Sequence, residues 1–275
     1  MMKEPFVLSD ETRPLHIRQW EEQHPGLVAG FTLRTGGVSG EPFASCNMGL
    51  HVGDTAEHVV ANRKKLASQL GMPFEAWSCA EQVHGSSVCQ VTSGGAGRES
   101  LHDVIPAADG LHTNRTGILL ASFYADCVPL YFLDPVNGAI GLAHAGWKGT
   151  VGRIAEEMVR AFARHYGTSA ADLKVAIGPS IGGCCYEVDE RIIERVREAA
   201  SDWQTAVTPA SNDRYMLDLP RLNEAILREA GVAGNQVLRT GWCTSCRTDL
   251  FFSHRKEAGI TGRMASFIGW KEQEE

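Results

Sequence analysis

GILLASFYADCVPLYFLDPVNGAIGLAHAGWKGT, residues 117–150, is the stretch whose reading decides the fold. It holds three apolar runs, 117–125, 128–134 and 139–145. Runs of this length, bounded by turn residues, read as buried strands. Asp134-Pro135-Val136-Asn137-Gly138 supplies the turn between the second and the third. After Gly146-Trp147-Lys148-Gly149, Thr150 is placed to cap a helix with apolar positions at Val151, Ile154, Met158 and Phe162.

Working upstream, 27–34 reads as a strand followed by a turn at Thr35-Gly36-Gly37. Asp54 with Glu57 three residues later marks a helix start. That helix runs through Val59, Leu66 and Leu70 and stops at Gly71. Short strands are expected within 77–83 and 87–91, and a flexible loop over 93–100. Downstream, 173–178 and 264–269 read as strands, and 190–200 and 219–230 as helices. Strands outnumber helices, and no strand–helix–strand unit repeats at fixed length. The pattern predicts a mixed α/β, α+β-like fold: one layered domain with mixed sheets and flanking helices. Residues 1–26 read as an irregular N-terminal segment and 27–270 as a single domain.

A chain of 275 residues can bury a substantial core without disulfides, as a monomer. Its formal charge of −7 argues against a nucleic-acid surface. The opening MMKEPFVLSDETRP lacks an apolar signal region, and no run reaches the roughly 18 apolar residues of a membrane span. The expected location is therefore cytoplasmic, where the eight cysteines remain thiols.

Three segments place a metal-capable side chain beside apolar strand sequence and small residues. They are AEQVHG around His84, FYADCVPL around Cys127 and LAHAGW around His144. Two imidazoles and a thiolate suit zinc, and three protein ligands leave one position open for catalysis. Taken singly, each residue is more often a core residue than a ligand. Cys127 and His144 also fit a thiolate–imidazole nucleophile pair, and the residues alone do not separate the two readings. Asp126 is a candidate general acid or base, or a holder of its own turn. Lys148-Gly149-Thr150 opens a helix and suits an anion, or is an ordinary capped helix. Arg34, Arg63, Arg247, Arg255 and Arg263 are further cationic candidates.

Cys243-Thr244-Ser245-Cys246 is half of a structural zinc site. Cys184-Cys185 could complete it, although adjacent cysteines are awkward tetrahedral ligands; a thiol pair or plain buried cysteines is the expected reading. Cys46, Cys79 and Cys89 carry no motif. Ten histidines without one His-x-His pair argue against an ordinary multicopper oxidase.

The segments FTLRTGGVSG, SCNMGLHVGD, Ala61-Asn62-Arg63, EQVHG, AADG, YADCVPL, HAGWKGT, GPSIGGCCYEV and FFSHRKEAGITGRMASFI resemble the YfiH/YlmD family. Its members are also called laccase-domain or polyphenol-oxidase-like proteins, and the resemblance runs from about residue 27 to 269. It implies a single-domain α/β fold related to cytotoxic necrotizing factor deamidase domains. It implies a catalytic zinc on His84, Cys127 and His144. It further implies phosphorolysis of adenosine, inosine, guanosine and S-methyl-5'-thioadenosine, with adenosine deamination as a second activity. Arg34, Asn47 and Arg263 match site-lining motifs of the family, so substrate contacts are expected there and at Lys148. Two departures stand out: Lys148 where the family often has Arg, and His254-Arg255-Lys256 where it has Tyr-Arg-Arg. Lysine keeps the charge and loses the bidentate geometry. The competing classes are a thiol-dependent amidase or deamidase, a copper-dependent polyphenol oxidase, and a non-catalytic cell-envelope accessory protein.

Overall fold

The computed structural model describes residues 4–272. The three apolar runs are strands, at Leu119–Tyr124, Val128–Asp134 and Ala139–Ala145. All twenty of their residues are buried. Continuous burial, rather than alternation, means that both faces of each sheet are covered. The side chains still alternate between two cores. Tyr131 and Leu133 face the core shared by the two large sheets, while Leu130 and Phe132 face helices.

Two six-stranded sheets carry the fold. The first runs Phe6–Val7, Leu15–Ile17, Leu27–Phe31, Met264–Trp270, Leu119–Tyr124, Trp77–Cys79. The second runs Val237–Arg239, Lys174–Ile177, Val128–Asp134, Ala139–Ala145, Gly110–Thr113, Val88–Gln90. Both mix parallel and antiparallel pairs. The helix Ala56–Leu70 covers the outer face of the first sheet through Leu66 and Leu70. The helices Ile154–Tyr166, Glu190–Ala199 and Leu219–Glu229 cover the outer face of the second. The result is a helix–sheet–sheet–helix stack, the layered mixed fold expected. A small three-stranded sheet, Glu187–Asp189, Arg214–Leu217 and Val207–Pro209, sits beside it. Among the described residues no helix is long and apolar enough to cross a membrane.

Two expectations need correction. The N-terminal segment is not irregular over its described part: it contributes two strands and the helix Arg18–Gln23. Phe6, Leu15, Ile17 and Trp20 are buried and join the core between the sheets. Residues 1–3 of that segment lie outside the described residues. Thr150 is not a helix cap. It lies inside a five-residue helix, Trp147–Val151, which begins after Gly146. The longer helix Ile154–Tyr166 starts after Arg153, whose φ of 59° breaks the path between the two. Thr150 instead accepts a hydrogen bond from Asn223 Nδ2 at 2.9 Å, tying the short helix to its neighbour. Asp54 lies one residue before the Thr55 cap of its helix and accepts from the Thr55 amide.

Candidate metal centre

Strand register brings the chemistry together. The chain leaves the first sheet at Tyr124 and enters the second at Val128, so the short link 125–127 spans the seam between them. Pro129 pairs with His144, which puts Cys127 at the end of His144's own strand. His84 lies in a turn after Trp77–Cys79, with a φ of 58°. The three candidate ligand atoms lie within 4.8 Å of one another. His144 is buried, Cys127 half-buried and His84 exposed.

Asp109 holds this arrangement and was missed as a site residue, although its AADG segment was part of the resemblance. It immediately precedes the strand Gly110–Thr113, and its carbonyl accepts the His144 amide at 2.7 Å. Its carboxylate accepts the amides of Val83, His84 and Gly85 at 3.2, 3.0 and 2.7 Å. It also bonds His144 Nδ1 at 2.9 Å. One side chain therefore shapes the His84 turn and orients the His144 ring. With Nδ1 engaged, Nε2 is the ring nitrogen left for a metal, the carboxylate–histidine support common in metal sites. Burial opposes the Asp109 charge, but His144 and the amides outweigh it and hold the carboxyl below its ordinary range.

Cys127 and His144 perturb each other. Burial pushes the thiol up, yet His144 and His84 pull it well below its ordinary value. Burial pushes His144 down, but the Cys127 thiolate and Asp109 raise it above the ordinary histidine range. A thiolate is thus available near neutral pH, which serves metal ligation and nucleophilic chemistry alike. Gly146 leaves room beside the donors. A Cβ there would lie 3.0 Å from His84 Nδ1 and 3.1 Å from Cys127 Sγ, crowding the space between these two donors. The missing side chain leaves a cradle between donors, and the donor set of two imidazoles and a thiolate fits a borderline metal such as zinc.

The trio lines a cavity of about 950 Å³, within the range of small-molecule sites. Of the predicted residues, Asp126, Lys148, Arg255 and Arg263 also line it. Lys148 is exposed, with its Nζ 5.8 Å from the centroid of the Trp147 ring. Arg263 donates from Nη1 to the carbonyls of Thr261 and Gly262. Arg63 lines the wall, but its guanidinium is spent on the carbonyls of Met48, Gly97 and Arg98. His51, Gln82, Tyr186 and His254 line the cavity too, and none was singled out individually from the sequence.

Four predicted residues have side chains engaged with the protein's own groups. Arg34 lies off the cavity: it bonds Thr248 O and Glu257 Oε1 and stacks over Phe252 at 4.7 Å. Asn47 is fully buried, bonds Gly49 and Asp54, and accepts the Arg263 amide at 2.9 Å. Asn47 holds the backbone of Arg263, a cavity-lining residue, and is not itself in the lining. Asp126, with a φ of 83°, accepts from Thr244 Oγ1, Ser253 Oγ and the Arg255 amide. Both of its oxygens bind neighbouring loops, the alternative of a turn holder. Arg247 is paired with Asp249 and lies outside the cavity lining.

A fold and site of this kind have solved and curated counterparts. Residues 28–271 match the family described as multi-copper polyphenol oxidoreductase laccase. The chain is 46% identical over 276 residues to purine nucleoside phosphorylase YlmD of Geobacillus stearothermophilus, covering 98% of this chain and 99% of that one. It is 42% identical to the YlmD phosphorylase of Bacillus subtilis, with 98% of each covered. The crystal structure of Bacillus licheniformis YfiH superposes with a TM-score of 0.94 at 42% identity, covering 98% of this chain and 100% of the other. The chain belongs to this YfiH/YlmD family of laccase-like proteins.

Proposed function

We propose that this chain is a zinc-dependent purine nucleoside phosphorylase. Adenosine, inosine, guanosine and S-methyl-5'-thioadenosine are its expected substrates, with adenosine deamination as a second activity. The observation that carries the reading is the convergence of His84, Cys127 and His144 on the wall of a nucleoside-sized cavity. The curated relatives named as purine nucleoside phosphorylases, 42–46% identical in two cases, support the reaction class.

His84, Cys127 and His144 would hold the zinc, which supplies Lewis-acid polarisation where charge develops. Asp109 keeps His144 in the tautomer that ligates. In phosphorolysis a phosphate oxygen bonds the ribose C1′, the C1′–N9 bond breaks, and the purine leaves with that electron pair. Lys148 and Arg263 are the cations that meet the phosphate and hold it in line. Asp126 acts through its loops, keeping the Cys127 link and the Arg255 amide in place. We place this chemistry in the cytoplasm, where Cys127 stays reduced.

The test is metal analysis of the purified protein together with hypoxanthine release from inosine, with and without phosphate. Phosphate-dependent release that a chelator abolishes supports the reading; phosphate-independent or chelator-resistant turnover sinks it. The second reading, a thiol-dependent amidase, rests on the depressed Cys127 thiol. Chelator-resistant amide hydrolysis blocked by alkylation would favour it. For Lys148→Ala the expected result is a rise of about tenfold in KM for phosphate, with kcat nearly unchanged. That corresponds to one charge-assisted contact of about 1.5 kcal/mol. An unaltered phosphate KM in initial-rate kinetics would remove Lys148 from the phosphate site.

A further inference from the structure

Four thiols converge far along the chain from the catalytic trio. Cys184, Cys185, Cys243 and Cys246 place their sulfurs within 4.8 Å of one another. Cys246 Sγ lies 3.6 Å from Cys184 Sγ and 3.3 Å from Cys185 Sγ. With zinc–sulfur bonds of 2.3 Å, a tetrahedral site requires sulfurs about 3.8 Å apart. Two of the six sulfur pairs are a few tenths of an ångström closer than that, and none exceeds it by more than about 1 Å.

The sequence objection was that adjacent cysteines diverge. They do in a strand, where neighbouring side chains point to opposite faces. Here they sit in a tight turn. The amides of Cys185 and Tyr186 both donate to Gly182 O, at 2.9 and 3.1 Å. That turn swings both thiols towards the CxxC loop. The CxxC loop is fixed in return: the Thr244 amide donates to Ser180 O at 3.0 Å. The Gly182 amide donates to Cys243 Sγ at 3.2 Å, the type of contact that stabilises a metal-bound sulfur. A disulfide explains less, because Cys246 is close to two partners and can bond only one.

We propose that Cys184, Cys185, Cys243 and Cys246 form a second metal centre, a closed structural tetrathiolate site for zinc. Four S–H bonds are given up, four Zn–S bonds form, and the protons pass to solvent. Four protein ligands leave no open position, unlike the three-ligand trio, so this centre fastens rather than reacts. What it fastens is adjacent to the cavity. Thr244, inside the CxxC, donates to Asp126 Oδ1 at 2.6 Å, and Asp126 neighbours Cys127. The Ile181 amide donates to Asp126 O, and Ile181 and Tyr186 line the cavity.

The experiment counts zinc per chain by mass spectrometry after purification under reductant, zinc loading and desalting. Wild-type protein should hold two equivalents. The double variant C184S/C246S, at two exposed positions, should hold one, and so should His84→Ala, which removes the other centre. The two losses are counted separately, so failure of the catalytic-zinc reading leaves this one standing. Cobalt-loaded wild-type protein should show the intense sulfur-to-metal charge-transfer and red-shifted d–d bands of four thiolates; this readout needs no variant to fold. A double variant that keeps the full wild-type zinc content, or a cobalt spectrum without the bands of a four-thiolate centre, would overturn the proposal. So would a disulfide among these cysteines in protein purified without reductant whose zinc content equals that of the reduced protein.

Discussion

Cys127→Ala should lose its zinc at the trio and about three orders of magnitude in kcat/KM for inosine phosphorolysis. Cys127 is the softest donor of the three and lies in the link between the sheets. Removing it leaves two imidazoles, one of them exposed, and a gap widened by the absent side chain at Gly146. Transition-state polarisation by a metal is worth several kcal/mol. At about 1.4 kcal/mol per tenfold, its loss gives a factor of about 1,000. The fold should survive, because Cys127 is half-buried and small. Metal content and initial rates on the same preparation decide the matter. A variant that is zinc-free at the trio yet retains wild-type phosphorolysis would dismiss the metal from the reaction. One that keeps its zinc but loses all activity would instead make Cys127 a nucleophile.

Asp109→Ala should have the next largest effect, and it should be double. Three amides of the 83–85 turn would lose their acceptor. Buried donors left without partners cost about 1–3 kcal/mol each, and water reaching the exposed His84 turn relieves part of this. A drop of several degrees in melting temperature is expected. The His144 ring would also lose its anchor, and groups that orient a metal-bound histidine typically govern affinity and activity by about 10- to 100-fold. Asp109→Asn separates the two effects. It preserves shape and one acceptor, so stability should recover more than zinc affinity does. Equal recovery of both, measured by thermal melts and competitive zinc titration, would show that Asp109 shapes the turn only.

Legibility in the sequence followed the physical origin of each feature. The strands Val128–Asp134 and Ala139–Ala145 fall on their apolar runs because burial on both faces demands unbroken hydrophobicity. The N-terminal strands were hidden because they are two and three residues long. Phe6, Leu15, Ile17 and Trp20 are scattered among charged residues and show no period. The break at Arg153 was hidden for the opposite reason: apolar positions at helical spacing continue across it, and only the backbone reveals the φ of 59°. The trio was legible as types of side chain beside strand ends. Choosing zinc over a thiol nucleophile took the resemblance, and the geometry adds the cradle at Gly146. For Arg34 and Asn47 the expectation of substrate contact rests on motif membership, and a polar residue that fixes a loop carries the same motif as one that meets a ligand. Asp109 had no signal beyond its AADG segment: three of its partners are backbone amides, which carry no side-chain signature, and His144 is distant in sequence.

The strand Met264–Trp270 lies between Leu27–Phe31 and Leu119–Tyr124, in the middle of the first sheet. Of the described strands it is the last to leave the ribosome. Until it arrives, the two neighbours it joins are unpaired edges held apart in a nascent chain, and the seam bearing Cys127 has only one finished side. Pairings this distant in sequence form late. Closure of the seam therefore waits for the synthesis of this strand, and the emerging chain depends on its surroundings to shield those two edges in the meantime.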